Sequence, residues 1–430
     1  ERYRAMMLKK YPQVRSQIDW AIRFVNHKEV LPSMRMLQFA GAAIEKNNAR
    51  GYNCSFINVT NIKFFKELMF LLLGGTGVGY SVQRGHITQL PAISKPSRSR
   101  RWLVGDSIEG WADSINGLFR AFFAGKSLPR FDYSDIREKG SRLVTAGGKA
   151  PGPDPLRVCH DKILGLLENK VEGSHLTSVE VCDLACFIAD AVLAGGIRRA
   201  AMICLFDKDD EWMLRYKSPC AVANLAVVET IKTKSQNHEF VEHIVSFDLR
   251  GKPHKVKISD WEYIEHAKTG KLQFHTVFPE RARVNVSAIC LREATTKEEF
   301  KTLFQAIIDS GSGEPGTYLT NELDEGTNPC AEIALRSEEF CNLTTINLSN
   351  TTSSRDFLER AQAAAILGTL QAGFTDFHYL GHAWEDNSKE EALLGISITG
   401  IGDRGDYASF DYILAANHAA IKAIGKTKEE

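Results

Sequence analysis

Four largely apolar runs of strand length, Ala201–Phe206, Ala288–Leu291, Thr344–Leu348 and Leu393–Ile398, are set apart by stretches of helical periodicity. A strand without polar alternation is buried on both faces, and such strands belong to parallel sheets covered by helices. The helices between them carry their own start and stop signals. Thr177-x-x-Glu180 is a capping box that opens a helix through Leu193, which Gly195-Gly196 ends. Thr296-x-x-Glu299 opens a second, running to about Asp309 with Gly311 as its stop, and a third helical pattern covers about Asp356 to Trp384. The fold class expected is α/β.

The chain has 430 residues, enough for two or three domains or one large one, and needs no disulfide or metal staple to hold a core. Residues 1 to about 50 read as helices, with Met6, Met7, Tyr11, Val14 and Ile18 mostly three or four apart and Pro32 closing the segment. The α/β texture begins at Gly51 and resumes at about 278. Residues 219–277, rich in Lys, His and Glu, read as an inserted surface lobe. The 53 basic residues balance 53 acidic ones, which argues against a nucleic-acid binder held by phosphate neutralisation. Purely apolar runs such as Leu68–Leu73 are too short for a membrane span of about 20 residues, and Glu1-Arg2-Tyr3-Arg4 does not resemble a signal peptide. The absent initiator Met suggests a chain that begins inside a longer product. Nine scattered cysteines do not form a disulfide framework, so a reducing, cytoplasmic compartment is expected.

The sharpest chemical constellation is Asn328-Pro329-Cys330-Ala331-Glu332. A residue before proline is driven out of the helical region, so an extended stretch is expected, with Asn328, Cys330 and Glu332 on one side. An amide, a thiol that can lose a hydrogen atom and a general base would then converge. The alternative is a tight loop with one buried Cys and a solvated Glu. Phe340-Cys341-Asn342-Leu343 and Tyr52-Asn53-Cys54-Ser55 each set one Cys beside polar residues at the edge of an apolar run, a pattern that a core Cys also satisfies.

Gly74-Gly75-Thr76-Gly77-Val78-Gly79 reads as a Gly-rich loop, without the Lys-Ser/Thr of a P-loop or the spacing of a dinucleotide fingerprint. Thr145–Asp154 reads as another loop able to contact a ligand, and Lys95–Arg101 as a solvated basic stretch. His378-x-x-x-His382 has the spacing of a zinc pair on a helix but lacks the accompanying Glu, and no metal is assigned.

Together and in this order, several segments resemble the catalytic subunit of ribonucleotide reductases, most closely the adenosylcobalamin-dependent class II enzymes of the monomeric ribonucleoside-triphosphate reductase type. They are Asn53-Cys54, Phe65–Leu68 leading into Gly75–Ser81, Phe131–Arg137, Gly195–Arg199, Gly313–Gly316, Gly326–Ile333, Cys341–Leu343 and Leu394–Ile401. The resemblance runs over most of the chain except about 219–277. It implies a ten-stranded barrel of two parallel half-barrels with a finger loop, here partly present. Residues 51–218 would be its first part and 278–430 its continuation, the end at Glu430 leaving a later part of the barrel to be completed, for instance by a separate polypeptide.

The implied chemistry is reduction of ribonucleoside triphosphates to 2′-deoxyribonucleotides with adenosylcobalamin as cofactor. Cys330 would become a thiyl radical, Glu332 the general base and Asn328 the partner of the ribose hydroxyls, while Cys54 and Cys341 would be the redox-active pair. Ser33, Ser55, Gly75, Gly77 and Gly79 match substrate-holding regions. A loop around Arg281, Arg283, Asn285 and Ser287 resembles one that reads a nucleoside triphosphate effector, with Val286 where Asn is more common. A thioredoxin-like reductant is the implied partner, and the chain alone is expected to be an incomplete catalyst. The alternatives are a class I large subunit, whose radical comes from a small subunit, and a nucleotide-binding piece of a split enzyme.

Overall fold

The computed structural model describes residues 1–429 apart from 144–147, 194–200, 223, 236–237, 250–251 and 408. The Gly195–Arg199 segment and part of the Thr145–Asp154 loop therefore lie outside the described residues.

Five parallel strands form the central sheet: β1 (Cys54–Asn58), β2 (Gly77–Ser81), β3 (Met202–Asp207), β4 (Val284–Leu291) and β5 (Gly316–Thr320). They lie in sequence order, with Cys54 opposite Gly77, Val78 opposite Met202, Met202 opposite Val284 and Ser287 opposite Gly316. Two further pairs follow: the short hairpin strands β6 (Gly326–Thr327) and β7 (Ala334–Leu335), then β8 (Glu339–Phe340), which returns antiparallel along the outer edge of β1. Strands β9 (Leu343–Asn347) and β10 (Gly395–Thr399) pair in parallel in a second sheet, with Val30–Leu31 antiparallel on the far side of β9. The two sheets form a partial barrel that is not closed by strand pairing among the described residues.

Alternation along the strands separates two faces. Val78, Tyr80, Met202, Cys204, Phe206, Val284, Val286 and Ala288 face the helices and join one large core. Cys54, Phe56, Ile203, Leu205 and Ile289 face the other way, where they meet Leu335 and Cys341. The helical layer is made by α4 (Lys63–Gly74), α5 (Ile108–Phe123), α6 (Asp154–Glu168) and α7 (Ser178–Leu193), following α1 (Arg2–Lys10), α2 (Arg15–Asn26) and α3 (Met34–Phe39). Phe65 of α4 stacks on Phe119 of α5 with ring centroids 3.8 Å apart. Thr177 and Glu180 form the reciprocal cap of α7, and Thr296 and Glu299 that of α8 (Lys297–Ser310), which stops at Gly311 with φ +63°.

The first helices belong to a different core. Met6, Met7, Ile18 and Phe24 pack with Ile346, Phe357 and Leu367, so α1 and α2 cover α9 (Ser354–Ala372) and β9 rather than the five-stranded sheet. The third helical pattern is two helices, not one: α9 ends at Ala372 and a second begins at His382. Gly373, a residue with little helix preference, is the break, and His378 falls in the turn between them. His378 and His382 therefore share no helix face, and among the described residues no group of three metal-ligating side chains assembles.

Strands Ala226–Ser235, His238–Leu249 and Lys252–Ser259 form a three-stranded antiparallel sheet, followed by the helix Asp260–Thr269 with a Ser259/Glu262 capping box. Val222, Val245, Phe247, Ile258, Leu272 and Val277 give this region its own cluster. Among the described residues no helix is long and apolar enough to cross a membrane.

One polar side chain sits deep in the helical layer. Glu67 of α4 is 3 % exposed, and the Trp384 indole Nε1 donates to it at 3.4 Å. Burial, followed by the charge of Glu338, pushes its carboxyl from 4.5 up to about 7. The unfolded chain ionises this group at its ordinary value. Its stability contribution is therefore full below about pH 4.5 and is lost as the pH rises to about 7. Glu67→Gln removes the loss, so the variant gains on the wild type by roughly 1–3 kcal/mol between pH 5 and 7 in urea unfolding. A difference that stays flat across that range contradicts the assignment.

Candidate active site

The antiparallel register of β8 on β1 pairs Glu339 with Phe56 and Phe340 with Ser55, and the next step sets Cys341 opposite Cys54. The Cys341 amide donates to the Cys54 carbonyl at 3.0 Å, continuing the ladder. Directly opposed residues of a hydrogen-bonded pair have Cα atoms about 5.5 Å apart, within the roughly 4.4–6.8 Å that a disulfide spans. Both cysteines are buried and are present as thiols. A hydrogen bond to Cys54, then burial, then charges that include Glu332 push the Cys341 thiol well up, so it stays protonated.

Between β6 and β7 the chain makes a tight tip. The amide of Ala331 donates to the Asn328 carbonyl at 2.9 Å, and Ala331 has φ +64°. This corrects the extended stretch expected over 328–332. The reason is the Asn328 side chain, whose Oδ1 accepts from the amides of Glu332 and Ile333, each at 3.2 Å, and wraps the chain around itself. Such local side-chain bonds compete with extended backbone. Asn328 is fully buried and its Nδ2 has no hydrogen-bond partner, leaving a donor without an acceptor. Cys330 and Glu332 are exposed at the tip.

The hairpin lies directly on the inner face of β1 and β2. A Cβ on Gly79 would overlap the Thr327 carbonyl, one on Gly326 would overlap the Phe56 ring, and one on Gly77 would come 3.1 Å from the Pro329 ring. Gly77 is the register partner of Cys54. The tip that carries Cys330 is thus seated one strand away from the thiol pair, and the charge of Glu332 adds to what holds the Cys341 thiol up. Tyr318 of β5 supports the hairpin base by donating to the Gly326 carbonyl at 3.2 Å.

No family model matches the chain. Curated relatives do. The protein named "probable adenosylcobalamin-dependent ribonucleoside-triphosphate reductase" of Dictyostelium discoideum is 26% identical over 415 residues, which is 86% of this chain and 46% of that protein. The adenosylcobalamin-dependent ribonucleoside-triphosphate reductase of Lactobacillus helveticus is 24% identical over 89% of this chain and 53% of its own length. The Euglena gracilis enzyme of the same name is 30% identical over 171 residues, 39% of this chain and 23% of its own. The crystal structure of a B12-dependent class II ribonucleotide reductase superposes with a TM-score of 0.67 at 20% identity, covering 94% of this chain and 59% of that one. Over most of its length the chain is similar to adenosylcobalamin-dependent ribonucleoside-triphosphate reductases, and its fold is that of a class II ribonucleotide reductase. It spans about half the length of the curated reductases that match over most of it.

The other residues expected from the reductase resemblance are placed unevenly. Ser33 lies near the pair: its hydroxyl accepts from Asn53 Nδ2 at 3.2 Å, next to Cys54. Ser55 does not, since alternation turns it to the helix side, where its hydroxyl donates to the Gly77 carbonyl at 3.3 Å. The expected Gly-rich loop is a helix cap and a strand. Gly75 closes α4 with φ +87°, the Arg35 guanidinium donating to its carbonyl, and Gly77 and Gly79 lie in β2 under the hairpin. Their lack of side chains makes room for the hairpin backbone.

The expected loop at 281–287 is instead a 3₁₀ turn, Pro279–Arg283, running into β4. Arg281 pairs with Asp183 at 2.9 Å against the rings of Tyr216 and Phe278, and Arg283 pairs with Asp190 at 2.7 Å, so both cations pin this turn to α7. Asn285 and Ser287 have the parity of the inner face of β4. A cavity of about 580 Å³ opens behind Gly75, walled in part by Lys46, Arg50 and Glu109, but none of Cys54, Cys330 and Cys341 lines it. Sequence reading passed over Gln371 and Tyr52, which tie this region together. A lone glutamine on the buried face of the Ala-Leu-rich α9 was the available signal.

Gly79→Ala tests the seating of the hairpin, because the φ of Gly79 permits alanine and the added Cβ would overlap the Thr327 carbonyl, with the Phe56 ring the next neighbour at 3.1 Å. The variant is expected to lose about 1–3 kcal/mol in urea unfolding. Gly85→Ala, whose Cβ meets nothing within 4 Å, serves as the control. Equal stability of the two variants would mean that the hairpin does not rest on β2.

Proposed function

We propose that this chain carries the thiol chemistry of an adenosylcobalamin-dependent ribonucleoside-triphosphate reductase, converting ribonucleotides to 2′-deoxyribonucleotides for DNA synthesis. The observation that carries the reading is the seating of the Cys330 hairpin beside two buried, directly opposed thiols.

Each residue has a task set by its surroundings. Cys330, exposed at a tip held by backbone turns, is the hydrogen-atom acceptor at the ribose 3′ carbon once its own hydrogen has been removed. Its exposure suits approach by an external group, and Cys330 is the residue that would face adenosylcobalamin. When bound, that cofactor supplies a hydrogen-atom acceptor through homolysis of its carbon–cobalt bond. Asn328 offers its unpartnered Nδ2–H to a ribose hydroxyl oxygen, since a buried donor without a partner costs about 1–3 kcal/mol until an acceptor arrives. Glu332 takes the 3′-hydroxyl proton.

The pair then completes the reduction. The C2′–O bond breaks and the oxygen leaves as water, a C2′–H bond forms, Cys54 and Cys341 give up two protons and two electrons as they join in a disulfide, and Cys330 returns its hydrogen atom to the 3′ carbon. Keeping Cys341 protonated keeps that hydrogen in place until it is needed. A thioredoxin-like dithiol restores the pair by exchange, and a nucleoside triphosphate effector tunes the choice of base. Because Arg281 and Arg283 are committed to Asp183 and Asp190, effector phosphates are to be sought on other residues.

The test uses the full-length gene product with adenosylcobalamin, a ribonucleoside triphosphate and dithiothreitol. A 2′-deoxyribonucleotide is the expected product. Cys54→Ser and Cys341→Ser each lower turnover by roughly a thousandfold or more, and the double variant is no worse than either single one, as for residues that act as a unit. Turnover that survives either substitution would remove the pair from the mechanism.

A further inference from the structure

We propose that Gln371 is the positioning residue that holds Cys54 and Cys341 opposite each other. The inference rests on reading these two as the redox pair and adds to it the residue that sets their geometry. Gln371 ends the buried face of α9 and is fully buried. Its Oε1 accepts from the Ser33 amide at 3.1 Å and from the Tyr3 hydroxyl at 3.2 Å. Its Nε2 donates to Asn342 Oδ1 at 2.9 Å and to the Leu343 carbonyl at 3.4 Å. A backbone amide can only donate and a carbonyl can only accept, so these partners fix which way the side chain points.

Each side of this fork leads to one cysteine. On one side Asn342 directly follows Cys341, and its own Nδ2 donates to the Gly368 carbonyl of α9 at 2.8 Å. On the other side the Ser33 hydroxyl accepts from Asn53, the neighbour of Cys54. The main chain of Gln371 adds a third tie, since its carbonyl accepts from the Tyr52 hydroxyl at 3.1 Å. Tyr52 in turn stacks on Phe340 with centroids 5.0 Å apart, joining the residue two before Cys54 to the residue just before Cys341.

The strand ladder alone is weak here, because β8 is only two residues long. The ladder sets the register, and the side-chain network reinforces the alignment that so short a ladder holds only weakly. A pair that opens and closes in each turnover needs its thiols held near bonding distance while reduced, and restraint of the dithiol state raises the equilibrium for disulfide formation.

The experiment equilibrates the full chain in mixtures of oxidised and reduced dithiothreitol. Two thiols lose two electrons and two protons to the cyclic disulfide, and the Cys54–Cys341 disulfide is quantified by alkylation and peptide mass. Gln371→Met is expected to lower its equilibrium constant about tenfold, the worth of one or two lost buried hydrogen bonds. Asn342→Ala should act in the same direction, and the double variant should fall short of the sum of the two, as coupled residues do. Ile366→Val, on the same helix, should lower thermal stability without moving the equilibrium.

If Gln371→Met does not fold, Asn342→Ala carries the test. A folded Gln371→Met or Asn342→Ala with the wild-type equilibrium overturns the positioning role. A wild-type chain that forms no Cys54–Cys341 disulfide at any mixture overturns the reading of the pair itself.

Discussion

The pairing of β8 with β1 is the constraint from which the site follows. Two residues of antiparallel ladder determine which side chain of one strand opposes which of the other, and a slip of one position would place Asn342 or Phe340 against Cys54 instead. The slip is opposed from both faces. Phe340 is packed outward among Tyr52, Phe377 and Trp384, while Cys341 joins Phe56 and Ile203 inward. The outward apolar anchor and the inward thiol therefore specify each other.

The second requirement is close backbone approach. The hairpin carrying Cys330 reaches the inner face only because β2 offers Gly77 and Gly79 there and because Gly326 yields to the Phe56 ring. On their other face the same strands are anchored by Val78, Ile57 and Tyr80 in the main helical core. Rigid strands fix the floor, and the Asn328 wrap fixes the tip. A thiol at the end of such a support is exposed on a fixed backbone, which suits the hydrogen-atom exchange proposed for Cys330.

What could be read from the sequence was chiefly what is decided locally. The capping boxes at Thr177 and Thr296 and the strand-length apolar runs depend on a few adjacent residues, and helices and strands form there. The misreadings have a common physical origin in contacts that sequence spacing does not encode. Asn328 bonds its own following amides, so the expected extended stretch becomes a turn. Gly75–Gly79 looks like a loop because glycines serve loops, yet two of them are strand positions pressed by another backbone. Arg281 and Arg283 were expected in a loop, yet α7 supplies Asp183 and Asp190 to pair with them and the segment is a 3₁₀ turn running into a strand. Gln371 has no motif at all, and its importance comes from partners more than three hundred residues away in the chain as well as from Asn342. The resemblance to a reductase family carried the pairing of Cys54 with Cys341, which spacing alone could not have suggested.

The most direct test of the account asks whether Cys330 exchanges hydrogen with adenosylcobalamin. The full-length gene product would be incubated with cofactor tritiated at the 5′ carbon and a nucleoside triphosphate effector, and release of tritium to water followed beside a Cys330→Ser variant. The account predicts release in the wild type, because the Cys330 thiol exchanges with solvent, and none in the variant. Release that persists without Cys330, or that is absent from an intact and folded wild type, would contradict it.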